Sequence, residues 1–139
     1  MHLLDTDTLT HLHAGHSRVV ENLRQLSDPD LGTTVVTKIE LLRGRFDYLL
    51  KAATGAELLR AQYLVARTEE LLAQINVVPF DERAARRFDD LRAASSLRKV
   101  GRADLLIASI ALSCEATLVT RNLRHFRQVP GLRVVNWVD

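Results

Sequence analysis

Asp5, Glu40 and Asp104 are the side chains whose type and placement point most directly to chemistry. Asp5 ends the apolar run His2-Leu3-Leu4, Glu40 follows Val35-Val36-Thr37, and Asp104 opens the apolar segment from Leu105 to Cys114. Each stands where a predicted strand gives way to a helix or where a helix begins. In an open α/β sheet that is the crevice beyond the carboxyl ends of the strands, where ligands bind. Carboxylates that converge there repel one another unless a cation lies between them, and without it at least one acid has a raised pKa. Oxygen donors select a hard divalent metal, and such a metal activates water against phosphate esters.

Each acid also has an ordinary structural reading. Asp5 or Asp7 can cap the first helix. Glu40 can be the returning half of a capping box with Thr37. Asp104 can complement the dipole of its own helix. Taken together these readings weaken, because Leu3 and Leu4 flank Asp5, and Leu105, Leu106 and Ile107 follow Asp104. An ionised acid beside a core needs a partner, and no basic residue shares the segment of Asp5.

Other polar groups sit at the same ends. Asn122, after Thr120-Arg121, either orders a water or ligand at the metal or caps a short turn. Thr6 and Thr120 place hydroxyls at strand ends, to hold carboxylates or water or to cap helices. Arg102 and Arg121 adjoin the site candidates and either grip flanking phosphates or lie as surface charge. His125 is nearby and reads as a solvent-exposed residue or a phosphate contact. His11, His13 and His16 do not share a helical face, and the i, i+4 pair of a helical zinc site is absent. There is no Walker loop, nucleophile elbow or glycine-rich dinucleotide loop.

The elements that must position these residues alternate along the chain. His2 to Leu4 reads as a buried strand, Thr6 to His13 as a helix broken at Gly15, and Ser17 to about Leu26 as a second helix capped by Ser17. Asp28-Pro29-Asp30 is a turn. Gly32 to Thr37 is β-branched and apolar, predicting a strand, with a helix capped from Thr37 after it. Ala52 to Gln74 consists of strong helix formers, with Leu58, Ala61, Val65 and Leu72 on one face. Val77 to Phe80 is a short strand, and Asp81 caps a helix whose stripe is Ala84, Phe88 and Leu91. A polar connection from Ala94 to Val100 leads to a helix, Ala103 to Cys114, that is apolar on nearly all sides and therefore buried. Thr117 to Thr120 and Arg133 to Val135 are strands around a helical turn from Arg121 to Phe126. Trp137 reads as a packing residue. The pattern implies an α/β fold: one domain over residues 1–139, a central, mostly parallel sheet of about five strands, and helices on both faces.

Composition agrees. The chain has 139 residues, enough for a core, and a 47% hydrophobic content. Aromatics make up only 5%, so aliphatic residues build the interior. The net charge of +2, from 19 basic and 17 acidic residues, hides a cluster: Arg98, Lys99, Arg102, Arg121, Arg124, Arg127 and Arg133 crowd the last third. That bias suits a polyanion or a solvated arginine surface. The single Cys114 excludes an internal disulfide and fits a small core residue in a reducing, cytoplasmic setting. Asp5 and Asp7 interrupt any signal-peptide run, and Leu105 to Cys114 is too short to span a bilayer.

Several segments carry a resemblance to a known family. They are Leu4-Asp5-Thr6-Asp7, Val36-Thr37-Lys38-Ile39-Glu40-Leu41, the run from Val100 to Ala108 around Asp104, the run from Ala116 to Phe126, and the tail from Pro130 to Trp137. In order and spacing these are similar to the PIN-domain ribonucleases, specifically the VapC-type toxins of bacterial toxin–antitoxin pairs. The resemblance implies a Rossmann-like parallel sheet and an acidic pocket for Mg²⁺ or Mn²⁺, in which Asp5, Glu40 and Asp104 match the metal acids. Asn122 matches a position acidic in some members. Asp7 departs from the usual Asn or Ser, and His125 stands where an additional acid is often found. The same resemblance implies endonucleolytic RNA cleavage leaving a 3′-hydroxyl and a 5′-phosphate, a homodimer, and a cognate VapB-like antitoxin. Two alternatives stay open: a regulatory PIN domain with turnover impaired by Asn122 and His125, and an RNA-processing nuclease outside toxin–antitoxin systems.

Overall fold

Consecutive residues of the first strand already divide the interior in two. β1 (His2–Leu4) places Leu3 in one apolar cluster and Leu4 in another, as the two-residue period of a strand requires. β4 (Thr117–Val119) does the same with Leu118 and Val119. Residues whose strand neighbours face opposite ways belong to a sheet covered on both sides.

The computed structural model describes residues 1–27 and 30–139, so the turn expected at Asp28 and Pro29 lies outside the described residues. The other strands are β2 (Leu31–Thr34), β3 (Asn76–Val78) and β5 (Arg133–Val135). All five pair in parallel in the order β3-β2-β1-β4-β5. The chain steps outward from β1 to β3 and then returns to add β4 on the other side of β1. The direction of winding therefore reverses between β1 and β4, and the crevice at that reversal is where such sheets hold ligands.

Helices fill the connections: α1 (Thr6–His13), α2 (Ser17–Gln25), α3 (Val35–Lys51), α4 (Gly55–Ala73), α5 (Glu82–Ala93), α6 (Arg102–Ser113) and α7 (Leu123–Phe126), with a 3₁₀ turn at Ser95–Leu97. α6 is the most enclosed. Ile107, Ala108, Ile110 and Ala111 are buried on it, and so are Ser109 and Ser113. Both serines stay satisfied because their hydroxyls donate to the carbonyls of Leu105 and Ile110 (2.6 and 2.7 Å). Trp137 is buried with Leu4, Leu9, Val19 and Val119, as a packing residue should be. Cys114 is half-buried on the α6 side, and burial pushes its thiol up. No helix among the described residues is long and apolar enough to cross a membrane.

Four local expectations need correction. The β-branched run after Gly32 does not stay a strand to Thr37. β2 stops at Thr34, whose hydroxyl accepts the amide of Thr37 (3.0 Å) and starts α3 three residues early. A good cap outweighs the strand preference of Val35 and Val36. Likewise His16, not Ser17, caps α2 through Nδ1. Leu58 is 44% exposed, and the buried face of α4 is Ala61, Thr68 and Leu72. β3 ends at Val78, before Pro79 and the exposed Phe80.

Gly32 is the tightest point of the sheet. A Cβ there would lie 2.6 Å from the carbonyl oxygen of Asn76 on β3. Gly32→Ala is expected to cost about 1–3 kcal/mol by forcing two paired strands apart. Thermal unfolding reads this as a fall of several degrees; an unchanged midpoint would mean that the β2–β3 spacing is not constrained there.

Candidate active site

Asp5 is held by the fold before it does any chemistry. Its amide donates to the carbonyl of Val119 at the end of β4 (3.0 Å). The buried Thr8 hydroxyl donates to the same carbonyl (3.2 Å), and the Thr33 hydroxyl donates to Leu4 (2.6 Å). These bonds tie the ends of β1, β2 and β4 together. The amide of Thr8 in turn donates to Asp5 Oδ1 (2.9 Å), so Asp5 caps α1. The ordinary reading of Asp5 is thus correct, and it engages Oδ1.

For Glu40 the ordinary reading fails. Thr34 performs the capping, which leaves Glu40 in the second turn of α3 with no capping role. It lines a cavity together with Thr6 and Arg45. Although Glu40 is a surface residue, partial burial pushes its carboxyl above the usual range, and the charges of Asp104 and then Asp5 push it further the same way. One carboxylate therefore feels the other two, as expected of acids brought into a common hollow.

Asp104 sits in the first turn of α6, its side chain 28% exposed. Gly101, the cap of that helix, offers no side-chain acceptor, so the positive end of α6 opens at the acid. His125 Nδ1 lies 3.6 Å from Asp104 Oδ2. The same nitrogen meets the amide nitrogen of Asn122 at 3.0 Å. Asn122 and His125 are neighbours across the first turn of α7, so Asn122 does not cap that helix through its side chain. Thr120 is fully buried, and its hydroxyl accepts the amide of Asn122 (3.0 Å). It acts on the site by shaping the turn that carries Asn122, and its burial keeps it from a substrate.

The two candidate arginines are placed differently. Arg102 is exposed, with its guanidinium carbon 5.6 Å from the ring centre of Phe88. Arg121 is committed: it meets Asp139 through Nε and Nη2 (3.1 Å each) and lies 3.6 Å from Asp7 Oδ2. The Arg121 guanidinium holds the Asp139 carboxyl below the usual range. Asp5, Asp7, Arg121, Asn122 and Asp139 line one open hollow. Sequence reasoning missed Asp139, because nothing local marks a partner 18 positions away. It noticed His125 but not its approach to Asp104. The N-x-x-H spacing across a helical turn was the available signal.

Among the described residues no three acid, histidine or cysteine side chains close into a ready-made metal cage. Asp104 and Asp5 nevertheless lie within electrostatic reach of Glu40. Carboxylate chemistry suits a hard cation that keeps part of its water shell, as Mg²⁺ does, better than it suits zinc.

The same fold is met in known proteins. The sequence model of the PIN domain matches residues 2–132. The chain belongs to the PIN domain family. Among curated relatives, the tRNA(fMet)-specific endonuclease VapC of Salmonella typhimurium is 30% identical over 118 residues, covering 75% of this chain and 89% of that protein. Ribonuclease VapC2 of Rickettsia felis is 31% identical over 74 residues, and that match spans about half of each protein: 52% of this chain and 55% of the relative. Among solved structures, the DNA-bound VapBC of Salmonella typhimurium superposes with a TM-score of 0.77 at 27% identity, covering 98% of this chain and 97% of that one. In this PIN domain, then, the acids lie at the winding reversal of an established family fold.

The double role of Asp5 separates folding from chemistry. Asn caps as well as Asp, so Asp5→Asn should leave urea stability within a few tenths of a kcal/mol, whereas Asp5→Ala should lose about 1 kcal/mol. Equal losses in the two variants would show that the cap is not what Asp5 contributes to stability.

Proposed function

We propose that the chain is a divalent-metal-dependent endoribonuclease that acts as the toxin of a toxin–antitoxin pair and is restrained by a cognate antitoxin. What carries this reading is that Asp5, Glu40 and Asp104, from the β1, β2–α3 and α6 segments, come close enough for Asp104 and Asp5 to raise the Glu40 carboxyl beyond the effect of its burial. The relatives named as ribonucleases and the solved VapBC complexes support the activity and the partner. A homodimer, a cytoplasmic setting and a Mg²⁺ or Mn²⁺ cofactor belong to the same reading.

Asp5, Glu40 and Asp104 would hold the metal. When bound, the cation supplies positive charge that makes water a better nucleophile and offsets charge on the scissile phosphate. The chain's own groups do the rest. Asp5 is fixed by the Val119 carbonyl and the α1 cap, so its carboxylate is preorganised. The uncapped first turn of α6 offers amide dipoles toward the anionic centre. Asn122, steadied by Thr120 and bonded to His125, is placed to orient water or a phosphate oxygen. Arg102 is free to meet a flanking phosphate. Arg121 can do so only by yielding part of its pairing with Asp139.

Incubation of a single-stranded RNA with Mg²⁺ or Mn²⁺ tests the reading. Asp104→Asn and Asp5→Asn are each expected to lower the cleavage rate at least about 100-fold, the scale of a lost metal contribution of several kcal/mol. Native rates in both variants would refute the site. RNA binding by the native chain without metal-stimulated cleavage would favour the regulatory alternative.

Metal binding should also respond to acid. A glutamate with a raised pKa keeps its proton to a higher pH than usual, and a cation must displace that proton. Mn²⁺ affinity, measured by calorimetry, is expected to weaken as pH falls through the raised Glu40 value. It should be weak at all pH in Glu40→Gln, with that part of the dependence gone. An affinity that stays flat until the ordinary carboxylate range would remove Glu40 from the donor set.

A further inference from the structure

The acidic crevice opens into a trough between α1, α3 and α4. Its near part, about 360 Å³, begins at Glu40 and Thr6 and runs past Gly44 to Arg45 and Tyr48. Its far part, about 270 Å³, holds His13, Tyr63 and Arg67. Both parts share Thr10, Arg45 and Leu64, so the two are one continuous depression. Five residues along α3 separate Glu40 from Arg45, about 7.5 Å of helix axis.

The trough is cationic where the crevice is anionic. Arg45 Nε donates to the hydroxyl of the buried Thr68 (3.1 Å), which itself donates to the carbonyl of Leu64 (2.8 Å). That anchors the guanidinium by one edge and leaves its terminal amino groups to the trough. Arg67 donates from Nε to His13 Nε2 (3.2 Å) and from Nη1 to the Tyr63 hydroxyl (3.1 Å). Among the described residues no carboxylate forms an ion pair with either arginine. His13 reports the local field: burial lowers its pKa first, the charges of Arg67 and Arg45 lower it further, and only Glu70 opposes them. Tyr48 and Tyr63 are 43% and 57% exposed.

Guanidiniums free of carboxylate partners, beside the exposed Tyr48 and a Tyr63 ring covered on one face by Arg67 (5.8 Å from guanidinium carbon to ring centre), make a surface for single-stranded nucleic acid, with phosphates on the cations and bases on the rings. A docked protein helix would prefer the apolar side of the same hairpin. Phe46 and Leu50 are 54% and 67% exposed there, two residues on from Gly44 and Tyr48 and so about 200° round α3. Building on the ribonuclease reading, we infer that the trough is the track for the single-stranded RNA segment flanking the scissile phosphate, with Arg45 and Arg67 on the backbone and Tyr48 and Tyr63 under bases.

The test is fluorescence anisotropy of a labelled single-stranded 12-nucleotide RNA on the full chain without divalent metal, at several salt concentrations. Arg45→Gln and Arg67→Gln are each expected to weaken binding about tenfold and to reduce the salt slope by about 0.7. Arg45→Lys should keep the slope. Tyr48→Ala should weaken binding about tenfold with the slope unchanged, because stacking carries no counterions. Arg24→Gln, on α2 away from the trough, should change neither, and thermal melts check that each variant folds. Native RNA affinity and slope in both arginine variants would overturn the track. So would variants that keep RNA affinity but lose a co-purifying protein partner, since the trough would then be a protein dock. Metal-dependent cleavage by the native chain, abolished in Asp104→Asn, keeps the nuclease reading standing if the track fails. Absence of RNA cleavage and binding by the native chain defeats both.

Discussion

The desolvation of Glu40 close to two further carboxylates is the constraint around which this end of the sheet is built. Parallel strands all deliver their carboxyl ends to one edge, and the reversal between β1 and β4 opens a gap in that edge. Asp5 comes from the end of β1, Glu40 from the helix after β2, and Asp104 from the start of a helix packed beside them. The proximity registers on Glu40, whose carboxyl is held above its usual range by burial and then by the other two acids. Separate placements on the surface would have spared the fold this cost. The cation proposed for this site would offset that cost.

What holds the acids is as informative as the acids themselves. Three hydrogen bonds, Asp5 amide to Val119, Thr8 hydroxyl to Val119 and Thr33 hydroxyl to Leu4, bind the strand ends that carry the site. Thr8, Thr33, Thr34, Thr37 and Thr120 are all buried at or near those ends. Threonine suits the place: it fits a strand, its methyl packs against the core, and its hydroxyl satisfies a backbone group that the adjoining helix start leaves open. Among the described residues no buried side-chain nitrogen or oxygen lacks a partner. The strand ends beneath the crevice are therefore held by hydroxyl-to-backbone bonds.

Charge is sorted over the surface in a way that net charge conceals. Arg121 is drawn into a pair with Asp139 and Asp7. Arg45 and Arg67 are steadied by neutral partners instead and form no ion pair with a carboxylate among the described residues. An acidic centre by itself repels a phosphate backbone. The proposed metal at the centre and cations along the approach would resolve that conflict.

Local sequence by itself determined much of this protein. The alternation of strands and helices, the buried character of α6, and the acids at strand ends all follow from patterns a few residues long, because periodicity and capping are local effects. The same locality explains the errors. Whether Val35 and Val36 extend a strand or open a helix depends on Thr34 having its cap in place, and whether Leu58 faces in depends on how α4 lies against α3. The sequence could name Arg121 as a phosphate contact but could not know that Asp139 would fold back onto it. Only tertiary structure decided which acids feel one another, which arginines stay unpaired, and that Asp5 serves as cap and site residue at once. Those outcomes depend on distances between segments far apart in the chain, and electrostatic coupling falls with distance in space, to which sequence separation is blind.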